Sequence, residues 1–192
     1  GLVKAQNGEW YYAEPSGELA TSTYKTVGGK TYYFNANSVL ENTAIQFGTV
    51  KNGWQSINNS WYYFNEDSSM HTGWLNYGGK KYYLYPDGSM ATGWIYTNGH
   101  YQYLDSFGIQ QFGWQMVGGK WYYMNAEVPR GKMLSNTWLH SSDGKYYYLD
   151  SNGAMCEGWT QISGNWYYFY PGSGYMATNT TVDSFRLGAN GA

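Results

Sequence analysis

Charge is scarce in this chain. Lys, Arg, Asp and Glu make up 12% of 192 residues, and the formal net charge is −2. No basic patch for nucleic acid and no polybasic membrane signal can be assembled from so few cations. A single cysteine, Cys156, excludes an internal disulfide, and no Cys/His cluster has metal-ligand spacing. Neither a metal nor a cofactor is therefore expected. No run of 18 apolar residues is present, so no helical membrane insertion is expected. Aliphatic residues are few, and no apolar stripe has the helical period. The chain opens at Gly1, with neither an initiator Met nor a charged-then-apolar leader. That opening fits removal of a signal peptide or of an upstream domain.

What is abundant is Tyr (23), Trp (10) and Gly (26). A chain of this kind buries rings in place of Leu and Ile, and Gly and Asn provide frequent turns. The rings recur. Trp54, Trp74, Trp94 and Trp114 are spaced at 20 residues; Trp138 follows after 24 and Trp159 after a further 21. Seven or eight residues behind each lies an aromatic cluster, such as Trp61-Tyr62-Tyr63, Trp121-Tyr122-Tyr123 or Tyr146-Tyr147-Tyr148. Met70, Met90, Met133, Met155 and Met176 close their units, and Ile109 takes that place in the fifth.

The spacing divides the chain into repeats at about 1–20, 21–42, 53–72, 73–92, 93–112, 113–136, 137–157 and 158–178. An insertion covers 43–52, a smaller one lies around Glu127 to Arg130, and a β-like tail covers 179–192. Runs such as Tyr-Tyr-Phe favour strands, and Pro86-Asp87-Gly88 or Ser151-Asn152-Gly153 favour turns, so each unit reads as a β-hairpin. One hairpin of this size is barely stable in water. Stacked copies bury their aromatic faces against one another. The expectation is an all-β fold, a β-solenoid or superhelix of tandem hairpins of about 20 residues, forming a single domain.

Nothing in the sequence points to catalysis. His71, His100 and His140 are isolated, with no Ser or Cys nucleophile in a recognisable setting. Asp67, Asp87, Asp105 and Asp150 stand in turns, where Asp is favoured for backbone reasons. Any catalytic activity is expected on a domain outside this chain.

The pattern Gly-Trp-x6-Trp-Tyr-Tyr-x-Asn-x-x-Gly-x-Met-x-Thr, clearest from Gly73-Trp74 through Gly88-Ser89-Met90-Ala91-Thr92, resembles the choline-binding repeats of pneumococcal-type surface proteins and cell-wall lysins. The tail Thr181-Val182-Asp183-Ser184-Phe185-Arg186-Leu187 also looks like endings in that family. The resemblance implies a left-handed β-solenoid on a secreted protein of the Gram-positive cell surface. It implies choline or phosphocholine of teichoic or lipoteichoic acid as partner, held between consecutive hairpins. A Trp at the first cluster position favours choline over the glucan bound by related repeats, which more often carry Lys-Lys-Tyr-Tyr or a similar run.

Those rings suit the ligand. A trimethylammonium is a permanent cation wrapped in methyl groups, and aromatic faces offer it apolar contact and a negative quadrupole together. Side chains alternate along a strand, so the first and third rings of a cluster face one way and the middle ring faces the other. Following the family's sharing pattern, the opening Trp and first ring of one repeat meet the middle ring of the next. The resemblance thus implies cage 1 from Trp54, Trp61 and Tyr82, cage 2 from Trp94, Tyr101 and Tyr122, cage 3 from Trp114, Trp121 and Tyr147, and cage 4 from Trp138, Tyr146 and Tyr167. Met90, Met133, Met155 and Met176 are assigned as apolar walls. Tyr63, Tyr83, Tyr123, Tyr148 and Tyr168 are assigned to packing.

Three junctions depart from the pattern. Trp74, Lys81 and Gln102 stand where a cage between the fourth and fifth repeats belongs, and that site is expected to stay empty. Thr31 and the insertion interrupt the junction of repeats two and three, and Leu2 replaces the opening Trp of the first repeat. Trp159 and Trp166 are read as having no following hairpin, so that site is partial unless a second chain completes it as a homodimer. Two alternatives stand beside choline anchoring. One is a glucan- or oligosaccharide-binding domain. The other is a repeat-only adhesin whose irregular repeats and insertion form a face for a host or partner protein.

Overall fold

A computed structural model of the chain describes residues 1–21, 23–28, 30–40, 52–57, 59–67 and 69–192. The insertion, apart from Asn52, and the side chains of Tyr24, Thr31 and Tyr33 lie outside the described residues.

Every regular element among the described residues is a strand, and all pair as antiparallel two-stranded hairpins. They are β1 (Leu2–Lys4) with β2 (Trp10–Tyr12), β3 (Thr23–Val27) with β4 (Lys30–Phe34), β5 (Gly53–Ile57) with β6 (Ser60–Phe64), and β7 (Gly73–Tyr77) with β8 (Lys80–Leu84). There follow β9 (Gly93–Thr97) with β10 (His100–Leu104), β11 (Gly113–Val117) with β12 (Lys120–Met124), β13 (Thr137–His140) with β14 (Tyr146–Leu149), and β15 (Gly158–Ile162) with β16 (Asn165–Phe169). The tail adds β17 (Thr180–Val182) with β18 (Phe185–Leu187). The fold class is the expected one: all-β, in tandem hairpin repeats. The chain forms two compact units, one of residues 1–92 and 106–109, the other of residues 93–105 and 110–192.

Turn chemistry sets each hairpin. Gly78 and Gly79 join β7 to β8 with φ of 57° and 73°, and Asn98 and Gly99 join β9 to β10 with φ of 54° and 79°. Two successive left-handed residues define the turn whose twist matches that of paired strands. Register follows: Trp74 faces Tyr83 and Leu75 faces Tyr82 across the fourth hairpin. The opening Trp and the third ring therefore share a face, and their rings meet edge-on, 5.1 Å apart for Trp74–Tyr83 and 5.4 Å for Trp54–Tyr63.

Burial concentrates at one position that the rings overshadow in the sequence. The closing residue of the second strand, Phe34, Leu84, Leu104, Met124, Leu149 or Phe169, is wholly inaccessible. It bridges the Met or its substitute further on, as in Leu84 with Met90 and Leu149 with Met155. Leu2 packs beside Trp10 and Tyr12 on a core of Ala20, Tyr32, Phe34 and Leu40.

Neighbouring hairpins are tied by one recurring backbone bond. In the first unit the Leu40 N–H donates to the Trp10 carbonyl (2.8 Å) and the Met90 N–H to that of Trp61 (2.7 Å). In the second, Met133 donates to Tyr101, Met155 to Trp121 and Met176 to Tyr146, each at 2.8 Å. The N–H of one repeat is thus satisfied by the repeat before it, so within each unit these hairpins hold together and not singly.

Candidate aromatic cages

The recurring bond builds the site. At the four expected cages its acceptor is the first cluster residue and its donor the Met of the next repeat, so these two residues are fixed to each other through the backbone. The opening Trp and the next repeat's middle ring supply the others. In the first unit Trp54 meets Tyr82 at 4.9 Å, with ring planes 63° apart. In the second, Trp94 meets Tyr122 at 4.9 Å, Trp114 meets Tyr147 at 5.0 Å and Trp138 meets Tyr167 at 4.9 Å. Trp54, Trp61, Tyr82 and Met90 line one cleft, and Trp114, Trp121, Tyr147 and Met155 line another. For the other two expected groups the contacts come in pairs: Trp94 with Tyr122 and Tyr101 with Met133, then Trp138 with Tyr167 and Tyr146 with Met176.

The first ring is exposed in cages 1, 2 and 4, at 48% for Trp61, 51% for Tyr101 and 45% for Tyr146, beside half-buried Trp and Tyr rings. In cage 3 Trp121 is half-buried and Tyr147 is buried. Cage 1 opens into a cleft of about 340 Å³ and cage 3 into one of about 240 Å³. Burial of Tyr147 in cage 3, aided by the Asp143 carboxylate, raises its phenol above the ordinary tyrosine range and keeps it neutral.

A further wall comes from a third repeat. Ser106 and Phe107, in the turn of the fifth repeat, line the cleft of cage 1, and Gly172 and Ser173, in the turn of the eighth, line that of cage 3. The cage methionines explain how these turns approach. A Cβ added at Gly108 would lie 2.5 Å from the Met90 sulfur, and one at Gly174 would lie 2.2 Å from that of Met155. Gly108 has φ 77° and Gly174 φ 69°, so the backbone conformation also favours glycine. Sequence reasoning missed Phe107, Gly172 and Ser173. The signal is the Gly two residues before Met90, Gln110, Met155 and Met176, which marks where the preceding repeat's Met is received.

The departures fall in both units. In the first, the Lys81 ammonium lies over the Trp74 ring, 4.3 Å from its centre. In the second, Gln102 is buried and its Oε1 accepts from Gln110 Nε2 at 2.5 Å. Gln102 stands at the middle-ring place and Gln110 at the closing bridge to Leu104, so two polar residues replace a ring and a Met together. The closing place falls on Gln110, next to the Ile109 assigned from sequence spacing.

One sequence expectation is overturned. A hairpin does follow Trp159 and Trp166: β17 and β18, joined by Asp183 and Ser184 at φ 49° and 71°. Phe185 lies where Tyr167 lies one repeat earlier, and its ring meets Trp159 at 5.7 Å. No second chain is needed to place a third ring there. Tail residues could not be aligned by their rings, since only Phe185 remains; the Asp-Ser turn was the available signal.

A choline-binding repeat model matches residues 51–91, 72–106, 91–138 and 139–180, and a cell wall binding repeat model matches 1–19 and 22–37. The chain belongs to the choline-binding repeat family. Choline binding protein F of Streptococcus pneumoniae, solved in the presence of a peptidoglycan analogue, is 37% identical to it with a TM-score of 0.72, over 95% of this chain and 60% of that one. CbpJ of the same species is 34% identical (TM-score 0.69), over 95% of this chain and 75% of that one. The choline-binding domain of CbpL, also pneumococcal, is 29% identical (TM-score 0.57), over all of this chain and 94% of that domain. The chain thus spans 60% of the choline binding protein F chain solved with the peptidoglycan analogue. No curated protein sequence matches it. Choline-binding repeats of this kind make the chain a module for attachment to the cell wall.

Proposed function

We propose that cages 1 to 4 each bind the trimethylammonium group of choline and together hold a secreted, surface-displayed protein on phosphocholine-bearing teichoic or lipoteichoic acid. The observation that carries this reading is the repeated meeting, near 5 Å, of an opening Trp with the middle ring of the next repeat. Each cation–π contact contributes about 0.5–2 kcal/mol. Three such contacts, less the cost of association, give a dissociation constant on the order of a millimolar per cage, about 4 kcal/mol. Several cages engaging one polymer raise the combined affinity by orders of magnitude without any new contact.

The test is a titration with choline chloride followed by Trp fluorescence, against equal concentrations of a glucan oligosaccharide. A saturable change with choline at millimolar concentrations supports the cages. The same change with the oligosaccharide alone, or none with choline up to tens of millimolar, overturns the reading.

A further inference from the structure

The imidazole of His71 stands between two hydrogen-bond acceptors. Its Nδ1 lies 3.1 Å from Asn65 Oδ1, and its Nε2 lies 3.1 Å from the Trp74 carbonyl oxygen. The carbonyl can only accept. The Asn65 amide is oriented by its other partner. Ser69 has one hydroxyl proton and donates it to Asp67 Oδ1 at 2.5 Å, so its oxygen accepts from Asn65 Nδ2 at 3.0 Å. That leaves the Asn65 amide oxygen toward the His71 ring. A neutral imidazole has one N–H to donate, and an imidazolium has two. Both contacts are therefore hydrogen bonds only when the ring is protonated; in the neutral ring one of them sets two lone pairs against each other. The fifth repeat holds Gln111 at this place, and its Nε2 donates to Asp105 Oδ2 at 2.8 Å. An amide keeps its hydrogens at every pH, and an imidazole does not.

We propose that His71 is a positioning residue for cage 1 that acts only when protonated, clipping the turn after β6 to the start of β7 and tightening the cage as pH falls. The proposal rests on the function proposed above and adds a pH dependence confined to one cage. The clip reaches the cage through packed rings. His71 meets Tyr63 edge-on at 6.1 Å, and Tyr63 meets both Trp54 and Tyr77 at 5.4 Å. A firmer seat for Tyr63 is thus a firmer back wall for Trp54. The titratable and charged groups around the clip are Glu66 and Asp67 in its own turn, the phenols of Tyr63 and Tyr77, and the Lys81 ammonium over the Trp74 ring. Among these residue types, histidine is the one that ordinarily changes charge between pH 5 and 8. The proton completes a bond that exists in the folded chain and not in the unfolded one, so the clip holds at pH 5.5 and is lost as pH rises toward 8. An imidazolium also repels a cation in cage 1. Two ring separations, of 6.1 and 5.4 Å, stand between them, and water and salt reduce that repulsion to less than about 1.5-fold in affinity.

The test uses the full chain labelled with 15N in its histidines and tryptophans, with the His71 signals assigned by His71→Gln. At pH 5.5 both His71 ring nitrogens are expected to carry hydrogens. Choline is then titrated at pH 5.5 and at pH 8.0, at constant ionic strength. The half-saturation read at Trp54 and Trp61 is expected to be about threefold lower at pH 5.5, while that read at Trp114 and Trp121 in cage 3 stays the same. His71→Gln, which puts at this place the residue type of the fifth repeat, is expected to remove the difference at cage 1. A His71 ring with one bare nitrogen at pH 5.5 overturns the clip, and that reading needs no variant. A pH dependence of equal size at cages 1 and 3, or one that survives His71→Gln, overturns His71 as its source. A protonated His71 with no pH dependence at cage 1 overturns its coupling to the cage. If no indole responds to choline at either pH, the function proposed above falls, and the His71 signals still decide the clip.

Discussion

Trp54 and Trp74 occupy the same place in consecutive hairpins of one compact unit, yet their faces meet different surroundings. Trp54 stands with Tyr82 at 4.9 Å over an open cleft. Trp74 has Lys81 over it, 4.3 Å from the ring centre. The hairpin scaffold around the two is the same, down to the edge-on Tyr at each Trp. The difference teaches that one place in the hairpin can leave its Trp beside an open cleft or cover it with an ammonium from the same hairpin.

The comparison can be broken most severely through the core beneath it. Leu84 is wholly inaccessible and belongs to the hairpin that carries Tyr82, Lys81 and Trp74. Leu84→Ala is expected to destabilise the first unit by about 3 kcal/mol. A urea midpoint that does not fall would show that the hairpins need no buried column. Next in size, Tyr82→Leu is expected to remove cage 1 from the choline response, weakening it roughly tenfold at Trp54 and Trp61. Trp74 serves as the internal control in the same titration, and its signal should be unchanged.

Lys81→Met tests the other side. Loss of the internal cation should cost about 1 kcal/mol in thermal or urea unfolding, while Lys80→Met, at an exposed position, should change stability by less than about 0.5 kcal/mol. Equal effects would show that Lys81 does not act through Trp74. Phe107→Ser gives cage 1 the residue type that cage 3 carries in its turn. A two- to threefold rise in its choline half-saturation, about 0.5 kcal/mol, is expected, and no change would remove the third repeat's turn from the cage.

The smallest effect is a reactivity. Burial first, and then the nearby Asp150 carboxylate, push the Cys156 thiol above its ordinary range, against an opposing hydrogen bond from Thr160. Less thiolate is present at pH 8 than in free cysteine, so iodoacetamide should alkylate Cys156 more slowly and accelerate only as pH rises further. Cys156 lines a cleft that shares Trp121 and Met155 with cage 3. An alkylation rate at pH 8 equal to that of free cysteine would show that this side of cage 3 is open to water.

The repeat length, hairpin turns and ring alternation were legible in the sequence because each rests on local chemistry. Successive left-handed turn residues such as Gly78-Gly79 enforce a tight hairpin, and strand alternation puts Trp54 and Trp61 on the face opposite Tyr62. Which rings meet between neighbouring repeats came from the family's pattern, and the Trp–Tyr distances agree with that grouping. Phe107 escaped because the residue that reaches cage 1 from the fifth repeat depends on how three hairpins stack, a relation no two-repeat pattern contains. The tail escaped for a different reason: β17 and β18 keep the turn and the buried Leu187 but only one of the three rings by which the other hairpins are recognised.

The sequence alone determined that this chain is a tandem array of aromatic hairpins, because 20-residue periodicity, turn residues and strand alternation act over short distances. Only the tertiary structure decided what each ring faces. Whether a Trp meets a cleft, a lysine from its own hairpin or a phenylalanine from the tail depends on hairpin-to-hairpin stacking. That stacking is set by the methionine N–H bonds and by the glycine turns that receive the methionine side chains.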